Sequence, residues 1–395
     1  MARTAASRFL RVLLLVAFST LSGFAAGAGD GTRPGSYGRM VPLNLVVKSA
    51  VKGSLVLTVQ PAGVSPAVGD GFPMSRIHFA KISGAGVGDR VWVSALDGAL
   101  IEELDANEVA RGGGVWTMEL RGTGFKVHVV KSAKSRLEFV IDKILLPAFN
   151  REPESIIVKD DNQPIYALPP DSPVRELALS VVRISISPPG AGAALRCTGF
   201  LIGLDEVLTN SHCIDTSELC RASVVAFGVA DTGPGSPSEP VEQIRCSAIV
   251  GWPDQLDFTV IRLARKPQRD WGRLVLSTQT PCVNDAPAGC TQFGKLALIH
   301  QYNGEGKQVS MVTCDIATIS ASDRAALGSQ RFGHSCNTSR MSSGSPIIDL
   351  KSKTVIGLHY AGAEQDVCTD CFNQATMASA ILQRFAIWPP NARPN

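Results

Sequence analysis

The sequence predicts an all-β chain of two folded units, a smaller sandwich-like one followed by a barrel-type one that ends in a single helix. Three observations predict it. A length of 395 residues exceeds one ordinary domain and falls short of three. Apolar residues recur in short alternating runs cut by turns, in a chain with 37 Gly and 24 Pro. All ten cysteines, from Cys197 to Cys371, lie in the second half, a change better explained by two independently built cores than by one.

A hydrophobic share of 45% with 18% charged residues argues for packed cores and against disorder along most of the chain. Residues 1–28 have the three-part form of a secretory leader: basic Met1–Arg11, an apolar run from Val12 to Phe24, and small Ala26, Gly27 and Ala28 that suit cleavage after Ala28. The run is shorter than the ~20 residues that span a bilayer, so it is expected to be removed rather than to anchor. The formal charge of +3 is carried by Arg3, Arg8 and Arg11 of this leader, and the remaining chain is near neutral. No nucleic-acid partner, and no membrane partner after leader removal, is therefore expected. Ten cysteines, an even number, suit an oxidising compartment, so the expected location is secreted, extracellular or periplasmic.

Residues 29–150 read as a β-rich accessory or pro-domain. Leu55, Leu57 and Val59 alternate with small or polar neighbours, as do Val91 and Val93, then Phe125, Val127 and Val129, then Leu137, Phe139 and Ile141. Turns are expected at Gly69-Asp70, Gly88-Asp89 and Gly112 to Gly114. Gly84, Gly86 and Gly88 do not form a nucleotide loop, because strand-like DRVWVSAL follows them rather than a helix. Residues 151–175, rich in Pro, Asp and Asn, read as a linker or processing segment. In 176–395 the apolar runs Leu177 to Ile186, Val224 to Phe227, Phe258 to Leu263, Lys295 to His300, Val309 to Val312 and Val355 to Leu358 give a barrel pattern. Thr376 to Phe385 has helical spacing.

Three segments carry chemistry. CTGFLIGLDEVLTNSHC puts His212 at the end of an apolar run, with Cys213 16 residues after Cys197, so that a disulfide between them would pin the strand bearing the histidine. Closing a loop of that size is worth about 3 kcal/mol. Asp257 opens DFTVIRL, 45 residues beyond His212; a carboxylate entering a buried strand needs a hydrogen-bonded partner, and an imidazole N–H is one. SSGSP places Ser343 a further 86 residues on, in a Gly/Ser-rich turn ahead of Ile347-Ile348. Singly these are an interior histidine, a turn aspartate and a loop serine. Together, in the order His, Asp, Ser, they form the set a hydroxyl nucleophile needs: a base to take its proton and a carboxylate to fix that base.

TNSHC, DFTVIRL and SSGSP, followed by GLHYAG, resemble the matching segments of trypsin-like serine endopeptidases, and Ser-Gly-Ser-Pro with Gly-Leu-His is most similar to the secreted bacterial branch that includes glutamyl endopeptidases. The resemblance covers about residues 155 to 390 and leaves the N-terminal half outside it. It implies a double β-barrel serine protease domain, polypeptide substrates, and Ser343 as nucleophile, His212 as general base and then acid, and Asp257 orienting His212. The backbone N–H groups of Ser343 and Met341 would hold the oxyanion. The family usually has glycine where Met341 stands, so either a strain of about 1 to 2 kcal/mol in a left-handed conformation or a hole misformed until substrate binds is expected there. Ser342 stands where animal digestive relatives carry an aspartate that pairs with a newly cut terminus, so that switch is absent. A protease-fold binding protein that has lost turnover is the rival reading.

Six residues before the nucleophile, Asn337 replaces the aspartate of trypsins, which argues against Lys or Arg preference. Thr338 and His359 match positions that contact an acidic side chain in glutamyl endopeptidases, and Arg340 lies nearby. The competing reading of His359 is a strand-edge filler. SIIVKDDNQPI resembles the start of the mature chain in those enzymes; cleavage between Glu154 and Ser155 would create that terminus, and an ordinary linker is the competing reading. No cofactor or metal is expected: Cys368-x-x-Cys371 has no second such pair and reads as a disulfide. Cys314 with Cys336 would brace the nucleophile loop, and Cys220 with Cys246 and Cys282 with Cys290 are pairings by proximity. Asn337-Thr338-Ser339 fits the glycosylation pattern, but a glycan in the pocket would block substrate.

Overall fold

A computed structural model of the chain describes residues 10–16, 35–48, 53–61, 74–105, 109, 114–132, 135–147, 153–157, 159–189, 191–229, 240–251, 255–284, 289–302, 306–363, 367–368 and 371–386. The cleavage site expected at Ala28 and the turn at Gly69-Asp70 lie outside them. Of the leader, Leu10–Val16 is described, as a strand parallel to Gly53–Pro61. The chain divides into two compact units, one built on Gly38–Ala148 and the other on Phe149–Gly190 and Ala194–Asn395.

In the first unit, strands Gly53–Pro61, Phe125–Lys131, Arg90–Ala95 and Leu100–Leu104 pair in that order, antiparallel throughout. Gly35–Lys48, Glu138–Pro147 and Met74–Ser83 form a second antiparallel set. The alternation in the sequence is the burial pattern: Leu55, Leu57, Val59, Val91, Val93, Phe125, Val127 and Val129 share one apolar cluster with Phe79, Phe139 and Ile141 of the second set. Two sheets around one core is a sandwich-like arrangement. Gly84 turns at φ +68°, and a Cβ there would meet the Arg136 carbonyl at 2.3 Å; the strand Arg90–Ala95 follows, as expected from DRVWVSAL.

The second unit is all-β and built on two cores. Strands Val181–Ile186, Ser223–Phe227, Glu242–Gly251, Thr259–Leu263, Glu206–Thr209 and Ala193–Leu201 pair in that order, and the first and last pair with each other, closing a six-stranded barrel. Ile184, Val207, Val225, Ile244 and Ile261 fill it. The other sheet runs Gln163–Pro164, Gly306–Ser310, Leu296–Tyr302, Pro346–Asp349, Thr354–Ala361, Asn373–Met377 and Arg331–His334. Leu298, Ile347, Ile356, Leu358 and Phe332 are buried in its core.

Local physics shifts several boundaries from those expected. Leu177 to Leu179, expected in a strand, end a helix Pro173–Leu179; a proline in its first turn and Glu176 near its start favour a short helix there. The C-terminal helix is Ala378–Ala386, because Thr376 and Met377 complete the strand Asn373–Met377 against its neighbours. Val312, also expected in a strand, lies past Ser310 and gives its N–H to Asp161. The expected linker holds ordered elements, with Pro153–Ile157 pairing antiparallel to Thr338–Ser339 and parallel to Val367–Cys368. Disulfides join Cys197–Cys213, Cys220–Cys246, Cys282–Cys290 and Cys314–Cys336. Cys371 is also disulfide-bonded; the side chain of Cys368, its expected partner, lies outside the described residues.

Candidate active site

Strand register brings the histidine and the acid together. Glu206–Thr209 pairs antiparallel with Thr259–Leu263, with Thr209 opposite Thr259. The chain leaves the first strand toward His212 at the same end where it enters the second from Asp257. Asp257 Oδ2 lies 2.6 Å from His212 Nδ1, while Oδ1 accepts from the His212 backbone N–H at 2.9 Å and from the Ser211 hydroxyl at 2.8 Å. The Asn210 amide donates to the Asp257 carbonyl at 2.8 Å. Asp257 sits at φ +54°, a left-handed conformation that Asp tolerates better than most residues, and these bonds hold it there. The carboxylate can therefore fix the His212 tautomer with hydrogen on Nδ1, leaving Nε2 as a base.

Ser343 arrives from the other sheet, three residues ahead of Pro346–Asp349. Its carbonyl accepts the Thr198 N–H at 2.8 Å, and the Thr198 hydroxyl donates to the Met341 carbonyl at 2.7 Å. Thr198 follows Cys197, which is bridged to Cys213 beside His212, so one short segment ties the histidine loop to the serine loop. Gly344 has φ +89° and gives its N–H to the His359 carbonyl; a Cβ there would meet the Thr198 carbonyl at 2.1 Å and the Thr209 hydroxyl at 2.4 Å. Only glycine allows that approach.

Ser343 is fully buried. Among the described residues neither its Oγ nor His212 Nε2 has a hydrogen-bond partner. Buried polar groups of this kind mark strain, an absent ligand or a catalytic role. Met341 is also buried and keeps a negative φ, since the only non-glycine residues described with positive φ are Asp257, Asn284 and Lys353. The left-handed strain expected at Met341 is therefore not present; the turn closes instead with the Ser342 N–H donating to the Ser339 carbonyl at 2.8 Å.

Around the expected specificity pocket, Thr338, Asn337 and His359 are fully buried and Arg340 is exposed. The Asn373 amide donates to the Cys336 carbonyl at 2.7 Å and to the Thr338 hydroxyl at 3.4 Å. His359 Nδ1 lies 3.1 Å from His334 Nε2, and burial, reinforced by the neighbouring His359, pushes the His334 pKa well below that of an ordinary histidine. Asn337 has a role that sequence reasoning missed: its Oδ1 accepts the Ile157 N–H at 2.8 Å, and its Nδ2 donates to the Lys159 carbonyl and Asp161 Oδ1, both at 2.7 Å. Both ends of the amide are thus spent on docking Ile157, Lys159 and Asp161, and a glycan on it has no room. Asp161, Asn162, Thr198, His300 and His334 were also missed. The buried histidines sit inside strand patterns that read as core, and the pairings of Asp161 with Ser310, Asn162 with His300 and Thr198 with Met341 span more than a hundred residues, which leaves no local signal.

One group of metal-type donors stands out among the described residues, Cys197, His212 and Cys213, whose ligand atoms lie within 4.8 Å of one another. Both sulfurs are joined in a disulfide, so no thiolate is available and the group does not fit a metal.

Residues 197–358 match the model of the trypsin-like peptidase domain, a span that includes His212, Asp257 and Ser343. The chain carries such a domain over that stretch. A curated relative, the uncharacterized protein y4fB of Sinorhizobium fredii, is 29% identical over 195 residues; the match takes in 46% of this chain and spans 28% of that relative's length. Among solved structures, the scabies mite inactivated protease paralogue SMIPP-S-I1 is 13% identical, covering 54% of this chain and 94% of that one, with a TM-score of 0.40. A Glu endopeptidase in complex with MPD is 18% identical, covering 58% and 97%, with a TM-score of 0.40. The active form of the Rv3671c protease from M. tuberculosis is 17% identical, covering 60% and 92%, with a TM-score of 0.38. These are likenesses of outline; the chemistry rests on the chain's own atoms.

Proposed function

We propose that this chain is a secreted serine endopeptidase that cleaves polypeptides through an acyl-enzyme. The observation that carries the reading is the His212–Asp257 pair, closed by three hydrogen bonds to one carboxylate and tethered through Cys197–Cys213 and Thr198 to the loop of Ser343. In this reaction His212 Nε2 takes the proton of Ser343 Oγ as the oxygen attacks the scissile carbonyl, then returns it to the leaving amine. Asp257 holds the ring and stabilises the imidazolium. Water repeats the sequence on the ester and releases the acid. The developing oxyanion is received by the N–H groups of Ser343 and Met341.

For specificity, the reading favoured by Thr338 and His359 is an acidic side chain before the scissile bond. A hydroxyl and an imidazole backed by a second, neutral histidine offer hydrogen bonds to a carboxylate, and exposed Arg340, three residues before Ser343, adds positive charge. The Asn337 amide, already engaged, offers no anion for Lys or Arg.

The activity is tested with a fluorophosphonate probe on the folded, fully processed protein. Covalent labelling that disappears in Ser343→Ala supports an enzyme. A folded protein that resists the probe supports the rival reading, a binding protein on a protease scaffold, to which the buried, unpartnered Ser343 hydroxyl lends weight. The specificity is tested by a peptide library, where a majority of cuts after Lys or Arg contradicts the pocket assignment.

A further inference from the structure

His300 lies in the strand Leu296–Tyr302, has no solvent exposure, and takes no part in the chemistry above. Its Nδ1 is 2.7 Å from the Ser342 hydroxyl, and its Nε2 is 3.0 Å from Asn162 Oδ1. The Ser342 oxygen also accepts the Ser339 N–H at 2.8 Å, and the Ser342 N–H returns to the Ser339 carbonyl at 2.8 Å. With the Asn162 oxygen facing the ring, one tautomer of His300 satisfies these contacts together. An amide oxygen only accepts, so Nε2 carries the hydrogen and donates to Asn162. A neutral ring then has a lone pair on Nδ1, which accepts the Ser342 hydroxyl proton. The Ser342 oxygen is left to accept from Ser339. Burial keeps the ring neutral, with a pKa pushed down to about 3, so this direction does not reverse at ordinary pH.

The far end of the relay is anchored. Asp161, beside Asn162, accepts N–H groups from Met311 at 3.1 Å, Val312 at 2.6 Å and Thr313 at 2.9 Å, the Ser310 hydroxyl at 2.7 Å, and the Asn337 amide at 2.7 Å. Residues 161–162 are thus tied to the body of the second unit, and through His300 they reach the residue next to the nucleophile.

We propose that His300 is a positioning residue: by joining Asn162 to Ser342 it locks the Ser339–Ser342 turn, and so sets the N–H groups of Met341 and Ser343 that are to receive the oxyanion. This inference rests on the proposed peptidase reading for its catalytic consequence, but the lock itself is a property of the fold.

Two substitutions separate the ends of the relay in the full-length, processed chain. His300→Asn places an amide oxygen close to where Nδ1 stands and keeps an acceptor for Ser342. His300→Gln reaches toward Asn162 and leaves Ser342 without one. Hydrogen exchange at the Ser339 amide reads the lock directly: at least about tenfold faster exchange is expected in His300→Gln, with most of the protection kept in His300→Asn. Peptide hydrolysis reads the consequence: kcat is expected to fall at least about tenfold in His300→Gln with KM nearly unchanged, with His300→Asn recovering most of it. In a Ser342→Ala background the two variants should converge, as coupled residues do. Equal Ser339 protection in wild type and His300→Gln overturns the lock, whatever the activity. Faster exchange with an unchanged kcat overturns the positioning role. Failure of the wild-type protein to take a fluorophosphonate label sinks the peptidase reading instead, and leaves the exchange result to decide the lock.

Discussion

The backbone N–H of Thr198 donates to the carbonyl of Ser343 at 2.8 Å, joining a strand of the closed barrel to the loop that carries the nucleophile. The same threonine donates its hydroxyl to the Met341 carbonyl at 2.7 Å and accepts the Gln301 N–H at 3.0 Å. Thr198→Val keeps the shape and removes both side-chain contacts, leaving two buried backbone groups unsatisfied at about 1–3 kcal/mol each. Urea denaturation should show a loss of at least about 2 kcal/mol, with fluorophosphonate labelling slowed as the serine loop loosens. Unchanged stability would falsify the assignment of Thr198 as the tie between the loops.

Gly344→Ala should be worse. The new Cβ meets the Thr198 carbonyl at 2.1 Å and the Thr209 hydroxyl at 2.4 Å, on a backbone at φ +89° that resists any side chain. A destabilisation of about 3 kcal/mol or more and loss of labelling are expected. Wild-type melting with normal labelling would contradict so close an approach.

Asp257→Asn leaves the hydrogen-bonded shape but gives His212 the wrong tautomer, because an amide nitrogen placed at Nδ1 donates rather than accepts. A fall in kcat of about four orders of magnitude is expected, with KM little changed. Steady-state hydrolysis of a short peptide measures it, and a loss of less than about tenfold would remove Asp257 from the mechanism.

Met341→Gly tests the oxyanion turn. Met341 keeps a negative φ inside the Ser339–Ser342 turn, which the Ser342 N–H closes on the Ser339 carbonyl. Glycine adds backbone freedom there, so kcat should fall several-fold with the fold intact. A rise in kcat argues instead that the N–H must first turn through a left-handed conformation, which costs a side chain about 1–2 kcal/mol, and contradicts a turn already set for the oxyanion.

Acid should loosen the docking of residues 159–164. Burial opposes ionisation of Asp161, but the N–H groups of Thr313, Val312 and Met311 and the Ser310 hydroxyl outweigh it and hold the carboxyl below the usual carboxylate range. A depressed folded pKa contributes stability that is present above the unfolded value and lost as pH falls through the folded one. Wild type should therefore exceed Asp161→Asn in stability at neutral pH, and the gap should narrow below pH ~4. A gap that does not change between pH 7 and pH 3, measured by urea titration, contradicts this account.

Much of the plan is legible in the residues themselves. Alternating runs such as Leu55-x-Leu57-x-Val59 map directly onto buried faces, because a strand's side chains alternate by geometry. His212, Asp257 and Ser343 are visible because the chemistry demands those residue types in short recognisable segments. Boundaries are less so: Leu177 is apolar in a helix as in a strand, and only its proline-led start decides between them.

Residue types and their order alone therefore established an all-β chain, the cysteine-bearing second half and the three side chains expected to react. Tertiary structure decided what surrounds them: that Asn337 is occupied holding Ile157 and Asp161, that Asp257 sits in a left-handed turn, that Met341 does not, and that His300 reaches from Asn162 to Ser342. The reason is distance along the chain. Periodicity and turn chemistry act over a few residues, whereas these contacts join groups up to 180 positions apart, and only the closed arrangement of strands brings them within hydrogen-bond range.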